Sequence, residues 1–481
     1  MLMFAAAVVY PVGLGVEHYP TTDRPPAVDA PADGRLVFAH YFPPYPISID
    51  NKDPAADYYT TQYLSPAGEE GAYAAYGGHL RDRPLPRKPR PESDWRQLDL
   101  AQEIEQASSA GIDGFSVDIL TAHDDLNWIA PIPSMLLAVA EKTDPAFKIM
   151  LMPDMSADPS AFSTPGQLAS EMAFLAASPA AFRLDDGRLV VSPFYAENRP
   201  ASWWQEFIGA MKSRYHIDVA LVPVFLDLNA NITAFAPISY GMSIWGGKSP
   251  ASSPPTGFPL DLIGSVHALG KMWMQPVSAQ DYRPSSQVYD EAENTTTLRN
   301  MWQIAINGNA DWVQIVTWND YSESTAIAPS VRHGSALLDI CSYYISYFKD
   351  GAPPPVTTER LFLSHRTQLI DASPSAQTML ADLRDGSTPG RDAVEVLSFL
   401  AQPATVTVNV GPATTVCDVP AGVSTCVAPV GRPDANGLSV SATMSRGNHA
   451  VMSVSSPYKI VADPPIQDLS YTVSESSANG S

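Results

Sequence analysis

Two acidic residues three positions apart, Asp320 and Glu323, are the strongest candidates for acid–base chemistry in this sequence. They lie in the segment WNDYSES (318–324), directly after an apolar run. Hydrolysis of an acetal needs one carboxylic acid to protonate the leaving oxygen and one carboxylate to activate water or to attack carbon. The pair could supply both groups. Asp and Asn after a strand also cap helices, so this segment taken alone favours a turn, and its surroundings must decide.

Further carboxylates, aromatic rings and one histidine lie at or near the ends of the apolar runs. Aromatic rings combined with carboxylates suit the apolar faces and the hydroxyl groups of sugars. We therefore predict a substrate-binding set beside the acidic pair: His40, Tyr41, Asp118, Asp154, Asp227, Trp245, Trp318 and Asn319. Each has a structural alternative, since the carboxylates could orient loops, the aromatic residues could belong to the core, and His40 could be a hydrogen-bonded core histidine.

The elements that would position these residues alternate between short apolar runs and helix-patterned stretches, such as 94–111, 164–178 and 202–215. This alternation is typical of βα units on a parallel sheet. Eight apolar runs predict strands, the number that a closed barrel needs: 35–42, 111–119, 148–155, 189–194, 218–227, 239–246, 271–278 and 312–318. We predict an α/β fold, a (β/α)8 TIM barrel over residues 35–352, with its functional groups at the carboxyl ends of the strands. An open doubly wound sheet is the alternative.

After the Pro run GAPPPV (351–356) the pattern changes to period-two segments rich in Thr and Val, which predicts an antiparallel β-sandwich over residues 353–470. Residues 471–481 are predicted to be a disordered tail, and residues 1–34 an N-terminal extension that could hold the remnant of a signal peptide. Cys417 and Cys426 flank a turn-rich stretch, so a hairpin disulfide and two buried thiols are both open. Cys341 is expected to be a core residue.

The composition excludes several classes of partner. Lys and Arg number 29 against 51 Asp and Glu, so the formal net charge of -22 would repel nucleic acid and anionic membranes. A neutral polysaccharide is compatible with this charge. The sequence has no phosphate-binding glycine loop, no H-E-x-x-H and no C-x-x-C, so we predict neither a cofactor nor a metal. We expect a monomer that is secreted or otherwise extracytoplasmic.

Several segments resemble the α-1,3-glucanases (mutanases) of glycoside hydrolase family 71. VFAHYF (37–42) and AGIDGFSVDI (110–119) resemble that family's opening strands, and QPVSAQDY (275–282) resembles its A-P-V-S segment. DWVQIVTWNDYSES (311–324) resembles its most distinctive motif, V-Q-I-x-T-W-N-D-Y-G-E-S. Segments of the C-terminal part are similar to the β-sandwich that follows the barrel in that family.

The resemblance implies an inverting hydrolase of α-glucosidic bonds, with Asp320 and Glu323 as the essential pair and with Asp113 as a further site residue. We assign Asp320 as base and Glu323 as acid. Ser322 stands where Gly is usual and Thr325-Ala326 where His-Tyr is typical, which bears on the substrate. Three alternatives stay open: another barrel glycosidase such as an endo-mannosidase-like enzyme, a non-catalytic carbohydrate-binding surface protein, and a metal-dependent barrel hydrolase that uses Asp118 and Asp154.

Overall fold

The computed structural model describes residues 34–157, 161–255 and 260–476. The predicted N-terminal extension lies outside these ranges except for its last residue, and so does the predicted tail from residue 477 onward. None of the helices in the described ranges is long and apolar enough to cross a membrane.

The N-terminal part consists of parallel strands, one hairpin and helices in alternation. Its strands are β1 (Leu36–Tyr41), β2 (Gly114–Ile119), β3 (Lys148–Pro153), β4 (Leu189–Val191), β5 (Val219–Leu221), β6 (Val224–Phe225), β7 (Gly241–Ile244), β8 (Met272–Val277), β9 (Asp281–Arg283), β10 (Val288–Asp290) and β11 (Trp312–Ile315). Its helices are α1 (Trp95–Ser109), α2 (Ile132–Thr143), α3 (Pro165–Leu175), α4 (Ala201–Tyr215), α5 (Leu228–Phe235), α6 (Leu260–Ala268), α7 (Thr296–Asn307) and α8 (Ala336–Asp350).

The main sheet is parallel and curled, in the order β5-β4-β3-β2-β1-β11-β8-β7-β6. Each of the eight apolar runs contains at least one of its strands. The fifth run contains two, because Pro223 has no backbone N–H to donate and interrupts the ladder between β5 and β6. Strands covered on both faces are apolar throughout, which is why these runs are visible in the sequence.

The two faces of the curled sheet differ in what they pack against. Phe38, Met150 and Trp312 belong to a buried cluster on the inner face. Val37, Ala39 and Tyr41 point the other way, into the cluster shared with the helices. Successive side chains of a strand alternate between faces, so the direction of each residue near the carboxyl edge follows from its place in this alternation.

Local sequence explains some of the helix ends. Thr164 caps α3: its hydroxyl accepts the backbone N–H of Gln167, and the Gln167 side chain accepts the N–H of Thr164. Gly111 follows α1 with a φ of 91°, a conformation that glycine adopts without strain. Asp94, predicted to cap α1, precedes the helix but its side chain makes no capping hydrogen bond.

The C-terminal part is antiparallel, apart from one short strand that joins the hairpin. Its strands are β12 (Arg360–His365), β13 (Asp382–Leu383), β14 (Ala393–Leu400), β15 (Ala404–Val410), β16 (Ala413–Val419), β17 (Gly422–Pro429), β18 (Val440–Arg446), β19 (His449–Ser455) and β20 (Thr472–Glu475). They form sheets of order β17-β14-β12-β20 and β16-β15-β18-β19, while β13 extends the hairpin as β13-β10-β9. Val396, Val406 and Met444 lie in one apolar cluster to which both four-stranded sheets contribute.

The cysteines differ in their bonding. Cys417 of β16 and Cys426 of β17 form a disulfide that joins the two sheets, while Cys341 is buried and free.

The end of the described chain is ordered as a strand. Residues 472–475, assigned above to a disordered tail, form β20 and pair with β12, so that assignment is wrong for this stretch. The opposite face of β14 packs on α8, where the rings of Phe399 and Tyr343 lie 4.8 Å apart, so the two parts share an apolar interface.

Candidate active site

Several of the predicted site residues meet at the carboxyl edge of the curled sheet. His40 is the penultimate residue of β1 and lies on the inner face, and its Nε2 lies 3.9 Å from Oδ2 of Asp118 on β2. The ring of Trp245, after β7, meets the His40 ring edge-on at 5.1 Å. Burial raises the pKa of Asp118 well above its ordinary value, and the charges of Asp154, Asp320 and Glu323 raise it further. Residues from five strand ends therefore share one acidic cleft.

Asp320 is held by donors from its own loop. Its Oδ1 accepts the backbone N–H of Ser322 at 2.9 Å, the Ser322 hydroxyl at 2.6 Å and the backbone N–H of Glu323 at 3.2 Å. Burial raises the pKa of this carboxyl, whereas the bonds from Ser322 and Glu323 and the charge of Arg283 oppose that rise. The loop thus supplies hydrogen bonds that favour the ionised form of a deeply placed carboxylate.

Glu323 has different surroundings. Its Oε1 lies 2.6 Å from Nη1 of Arg283, and its Oε2 is buried without a hydrogen-bond partner among the described residues. Burial raises the pKa of Glu323 to about 8; the charge of Arg283 opposes this, and those of Asp320 and Asp281 add to it. A carboxyl with this pKa keeps its proton near neutral pH, as a general acid requires.

A buried lysine lies on the same side of the cleft. Nζ of Lys248 donates to the backbone oxygens of Trp245 at 2.6 Å and Gly246 at 3.3 Å. Burial lowers the pKa of Lys248 to about 8, although the nearby charges of Asp281 and Glu323 oppose this. The cleft therefore contains cations as well as carboxylates.

His40 is a neutral residue of the cleft. Burial, with a contribution from the charge of Lys248, lowers its pKa to about 3. Its Nδ1 lies 3.1 Å from the sulfur of Met152.

The neighbouring carboxylates differ in their hydrogen bonds. Oδ1 of Asp118 is buried without a hydrogen-bond partner among the described residues. Asp154 accepts the N–H and the hydroxyl of Ser156, at 2.6 and 2.7 Å. Buried polar atoms without partners are uncommon in folded proteins, so the free oxygen of Asp118 is a candidate for contact with a ligand.

Asp113 does not join this cleft, which corrects the expectation that it is a site residue. It precedes β2, at the amino edge of the sheet. Its Oδ2 accepts the backbone N–H of Val37 at 2.7 Å, and its Oδ1 pairs with Nζ of Lys349 at 2.6 Å. Asp113 therefore links the beginnings of two strands to α8.

Tyr41 and Trp318 also turn away from the cleft. Both are fully buried against the helix layer, where the Tyr41 hydroxyl donates to one oxygen of Glu103 at 3.0 Å and the Trp318 indole N–H donates to the other at 3.3 Å. Burial raises the pKa of Glu103 to about 8. Both aromatic residues thus support the wall of the site, and the prediction that they bind substrate directly is wrong for this arrangement.

Asn319 and Asp227 have structural partners as well. The Asn319 side chain accepts the N–H of Phe42 at 2.7 Å and donates to the backbone oxygens of Phe42 and Tyr45, at 3.0 and 2.9 Å. It fixes the loop after β1 to the loop that contains Asp320 and Glu323. Asp227 caps α5 by accepting the N–H of Ala230 at 3.1 Å. These contacts give both side chains structural roles and do not position them as substrate ligands.

Four residues of the site are absent from the set predicted from the sequence: Lys248, Asp281, Arg283 and Tyr45. Asp281 lies in QPVSAQDY, so the motif that carried the family resemblance already contained a signal for it. Burial raises the pKa of the Tyr45 phenol, the charge of Asp320 adds to this rise, and the Tyr45 hydroxyl lies 2.8 Å from Nε2 of His79. Lys248 lies in a Gly-, Ser- and Pro-rich loop whose sequence carries no periodic signal. Among the described residues no group of three or more His, Cys, Asp or Glu side chains is placed to hold a metal ion.

A curled parallel β/α sheet with an acid pair at its carboxyl edge is an arrangement found in glycoside hydrolases of the barrel type. The chain belongs to glycosyl hydrolase family 71, whose family model matches residues 91–480. This confirms the resemblance found in the sequence, and the protein is a glycoside hydrolase.

Individual relatives are distant. A mutanase of Penicillium rubens is 26% identical over 362 residues, which span 69% of this chain and 76% of that protein. A glucan endo-1,3-alpha-glucosidase of Schizosaccharomyces pombe is 28% identical over 163 residues, spanning 31% of this chain and 38% of its own. Among solved structures, the GH99 endo-alpha-mannosidase of Bacteroides thetaiotaomicron is 15% identical, with a TM-score of 0.49 over 66% of this chain and 98% of that one.

Proposed function

We propose that this protein hydrolyses α-1,3-glucosidic bonds of a glucan polysaccharide by a single displacement that inverts the anomeric centre. The observation that carries the proposal is the contrast between the two carboxyls of the catalytic loop. Asp320 accepts three hydrogen bonds that favour its ionised form, whereas Glu323 is a buried group whose pKa is raised to about 8. These are the states that a base and an acid must have before reaction.

In this mechanism Glu323 donates its proton to the glycosidic oxygen as the bond from that oxygen to the anomeric carbon breaks. Asp320 takes a proton from a water molecule, whose oxygen bonds to the anomeric carbon from the opposite face. Loss of the Asp320 proton and gain of one by Glu323 restore the enzyme. In this proposal Asp118 and Asp154 form hydrogen bonds with sugar hydroxyls, and the half-buried ring of Trp245 offers an apolar surface.

The choice of an α-1,3-glucan rests on the relatives. The three that match are named as a mutanase, a glucan endo-1,3-alpha-glucosidase and an ascus wall endo-1,3-alpha-glucanase. The net charge of -22 is compatible with a neutral polymer. We further propose that the protein acts outside the cytoplasm, which the disulfide between Cys417 and Cys426 and the wall location in one relative's name support.

We also propose that the curled sheet closes into an eight-stranded barrel and that the two C-terminal sheets form a β-sandwich. Residues of the fifth apolar run (218–227), which contains β5 and β6, form hydrogen bonds to the strands on both sides, and these bonds support closure. On one side Val222 N–H donates to the oxygen of Val191, and on the other Tyr240 N–H donates to that of Leu221, at 2.9 and 2.8 Å. The apolar cluster to which both C-terminal sheets contribute supports the sandwich.

Product analysis on a panel of polymers tests the proposed activity. We expect the protein to release soluble sugars from α-1,3-glucan, and not from α-1,4-glucan, β-1,3-glucan or α-mannan. Proton NMR of the first products should show the β-anomer before mutarotation, because single displacement inverts the α configuration. Hydrolysis of mannan alone would favour an endo-mannosidase-like enzyme, and α-anomeric first products would overturn the inverting mechanism.

A further inference from the structure

The hairpin β9–β10 holds the general acid of the proposed mechanism. Tyr282 N–H donates to the backbone oxygen of Glu323 at 2.8 Å, and the Ser324 hydroxyl donates to the backbone oxygen of Tyr282 at 2.9 Å. Nη1 of Arg283, the next residue of β9, lies 2.6 Å from Oε1 of the Glu323 carboxyl group. The position and charge environment of Glu323 therefore depend on this hairpin.

Arg283 is itself fixed by a second carboxylate. Its Nε and Nη2 bind the two oxygens of Asp281 at 2.7 and 2.6 Å, in the bidentate geometry that orients a guanidinium strongly. The Asp281 side chain is only 1% exposed, so its charge needs nearby cations. Besides Arg283, the cations that face it are Lys248 and Arg384.

Arg384 comes from the C-terminal part of the chain. It directly follows β13, which adds to the hairpin alongside β10, and its own N–H donates to the backbone oxygen of Tyr289 at 2.8 Å. The Arg384 guanidinium binds Oδ2 of Asp290 at 2.7 Å and lies 3.8 Å from Oδ2 of Asp281. Charges thus alternate from the cleft outward through Glu323, Arg283, Asp281, Arg384 and Asp290.

We propose that Arg384, carried by the C-terminal part, is a positioning residue for Glu323, because it neutralises Asp281 and Asp290 and so leaves Arg283 free to orient the Glu323 carboxyl group. The proposal rests on the proposed function, in which Glu323 is the general acid. It gives the C-terminal part a role in the reaction itself: that part supplies the outermost positive charge of a network that ends at Glu323.

Removing the Arg384 charge has a predictable sign. The buried carboxylates of Asp281 and Asp290 would then have fewer cations beside them. Arg283 would be drawn toward them, and the electrostatic potential at Glu323 would become more negative. The titratable and charged groups that face Glu323 are Arg283, Asp320, Asp281, Lys248 and Asp118, and of these only Arg283 would move. The protonated form of Glu323 would then be favoured to higher pH, and its carboxyl would be less well oriented toward the glycosidic oxygen.

Kinetics of Arg384→Met across pH test this. We expect kcat to fall about tenfold, part of the 10²–10⁴-fold that a general acid contributes, with KM within about twofold of the wild-type value. The alkaline limb of the kcat profile should move to higher pH, and Arg384→Lys should restore it. Asp290→Asn removes one of the carboxylates that Arg384 neutralises, so it should move the alkaline limb to lower pH. This second variant keeps the proposal testable if Arg384→Met does not fold.

Arg432→Met is the matched control, because Arg432 forms an exposed ion pair with Asp371 in the same part of the chain. It should leave kcat and the pH profile unchanged. Lower thermal stability of Arg384→Met with an unchanged kcat and alkaline limb would show that Arg384 is only structural and would overturn the proposal.

A titration that does not depend on activity separates this proposal from the proposed function. Carbon NMR of protein labelled at the glutamate carboxyls, with the Glu323 signal identified by its loss in Glu323→Gln, reports the ionisation of Glu323 directly. We expect an upward displacement of that titration in Arg384→Met. An inactive wild-type protein with this displacement would defeat the glucanase proposal alone, whereas an active enzyme with the same Glu323 titration in both proteins would defeat the role of Arg384.

Discussion

Asp320 and Glu323 differ in their hydrogen bonds although both belong to one loop. Ser322 accounts for much of this difference, since its hydroxyl and its N–H both donate to Asp320. The residue stands where glycine is usual in the motif of the family, so the hydroxyl is an additional donor to the proposed base. Its effect should appear in the pH dependence of the reaction.

We predict a bell-shaped profile of kcat/KM whose limbs report the two carboxyls. Activity should fall as pH rises through the pKa of Glu323, about 8, because the acid then loses its proton. It should fall at low pH as Asp320 becomes protonated. Ser322→Ala removes a donor that stabilises the Asp320 carboxylate, so the acidic limb should move up by about one pH unit, the equivalent of ~1.4 kcal/mol.

Ser346→Ala is the control, because Ser346 lies on α8 and its hydroxyl donates only to the backbone of its own helix. The two profiles should differ on the acidic side alone. An acidic limb of Ser322→Ala that coincides with the wild-type limb would show that the hydroxyl does not stabilise the base.

At the level of single residues, the sequence predicted the acid pair and the acidic setting, but it missed which way several side chains point. His40 and Asp118 face the inner side, whereas Tyr41 faces the helices, as strand alternation requires. Applying that alternation to β1 would have removed Tyr41 from the predicted set. Trp318 lies beyond β11, where no periodicity applies, so its direction could not be predicted this way.

At the level of elements, the opposite edges of the sheet have different tasks. Asp113 ties β1 and α8 to the start of β2 at the amino edge, far along the strands from the acid pair. Residues at this edge of a barrel serve stability, while those at the carboxyl edge serve catalysis.

We therefore predict that Asp113→Ala lowers the free energy of unfolding by about 1.5–3 kcal/mol, the usual contribution of hydrogen bonds to a charged group. The KM and kcat of the folded variant should stay within about twofold of wild type. Urea denaturation and kinetics at a temperature below the transition measure both. Asp218→Ala, which removes an exposed pair with Lys212, should change neither, and a large rise in KM for Asp113→Ala would restore Asp113 as a substrate-binding residue.

The elements themselves were largely predictable. Strands buried on both faces are apolar and stand out from the polar sequence around them, and Thr164 and Gly111 mark helix ends by their chemistry. The loop that contains Lys248 was not predictable, because its position depends on the hairpin and on the neighbouring strand ends. Asp281 and Arg283 lie on a hairpin that the eight-run pattern does not include.

At the level of the whole molecule, strand pairing and hydrogen bonds connect the C-terminal part to the active-site region. Strand β13 pairs with the hairpin, and the Tyr282 hydroxyl donates to the backbone oxygen of Gln467 at 2.7 Å. These contacts join residues far apart in sequence; Arg384 and Asp290, for example, are separated by 94 positions. No local pattern predicts such a pair, which is why the sequence indicated two units but not the network between them.

The most direct test of the account compares hydrolysis of α-1,3-glucan by wild type, Asp320→Asn and Glu323→Gln. Two controls match the chemistry of the changes: Asp227→Asn, which keeps a good helix cap on α5, and Glu206→Gln, on the exposed face of α4. We expect both catalytic variants to lose at least about 10²-fold in kcat with the fold intact by circular dichroism, and both controls to retain wild-type rates. Wild-type hydrolysis by a folded Asp320→Asn or Glu323→Gln protein would contradict the assignment of the catalytic pair.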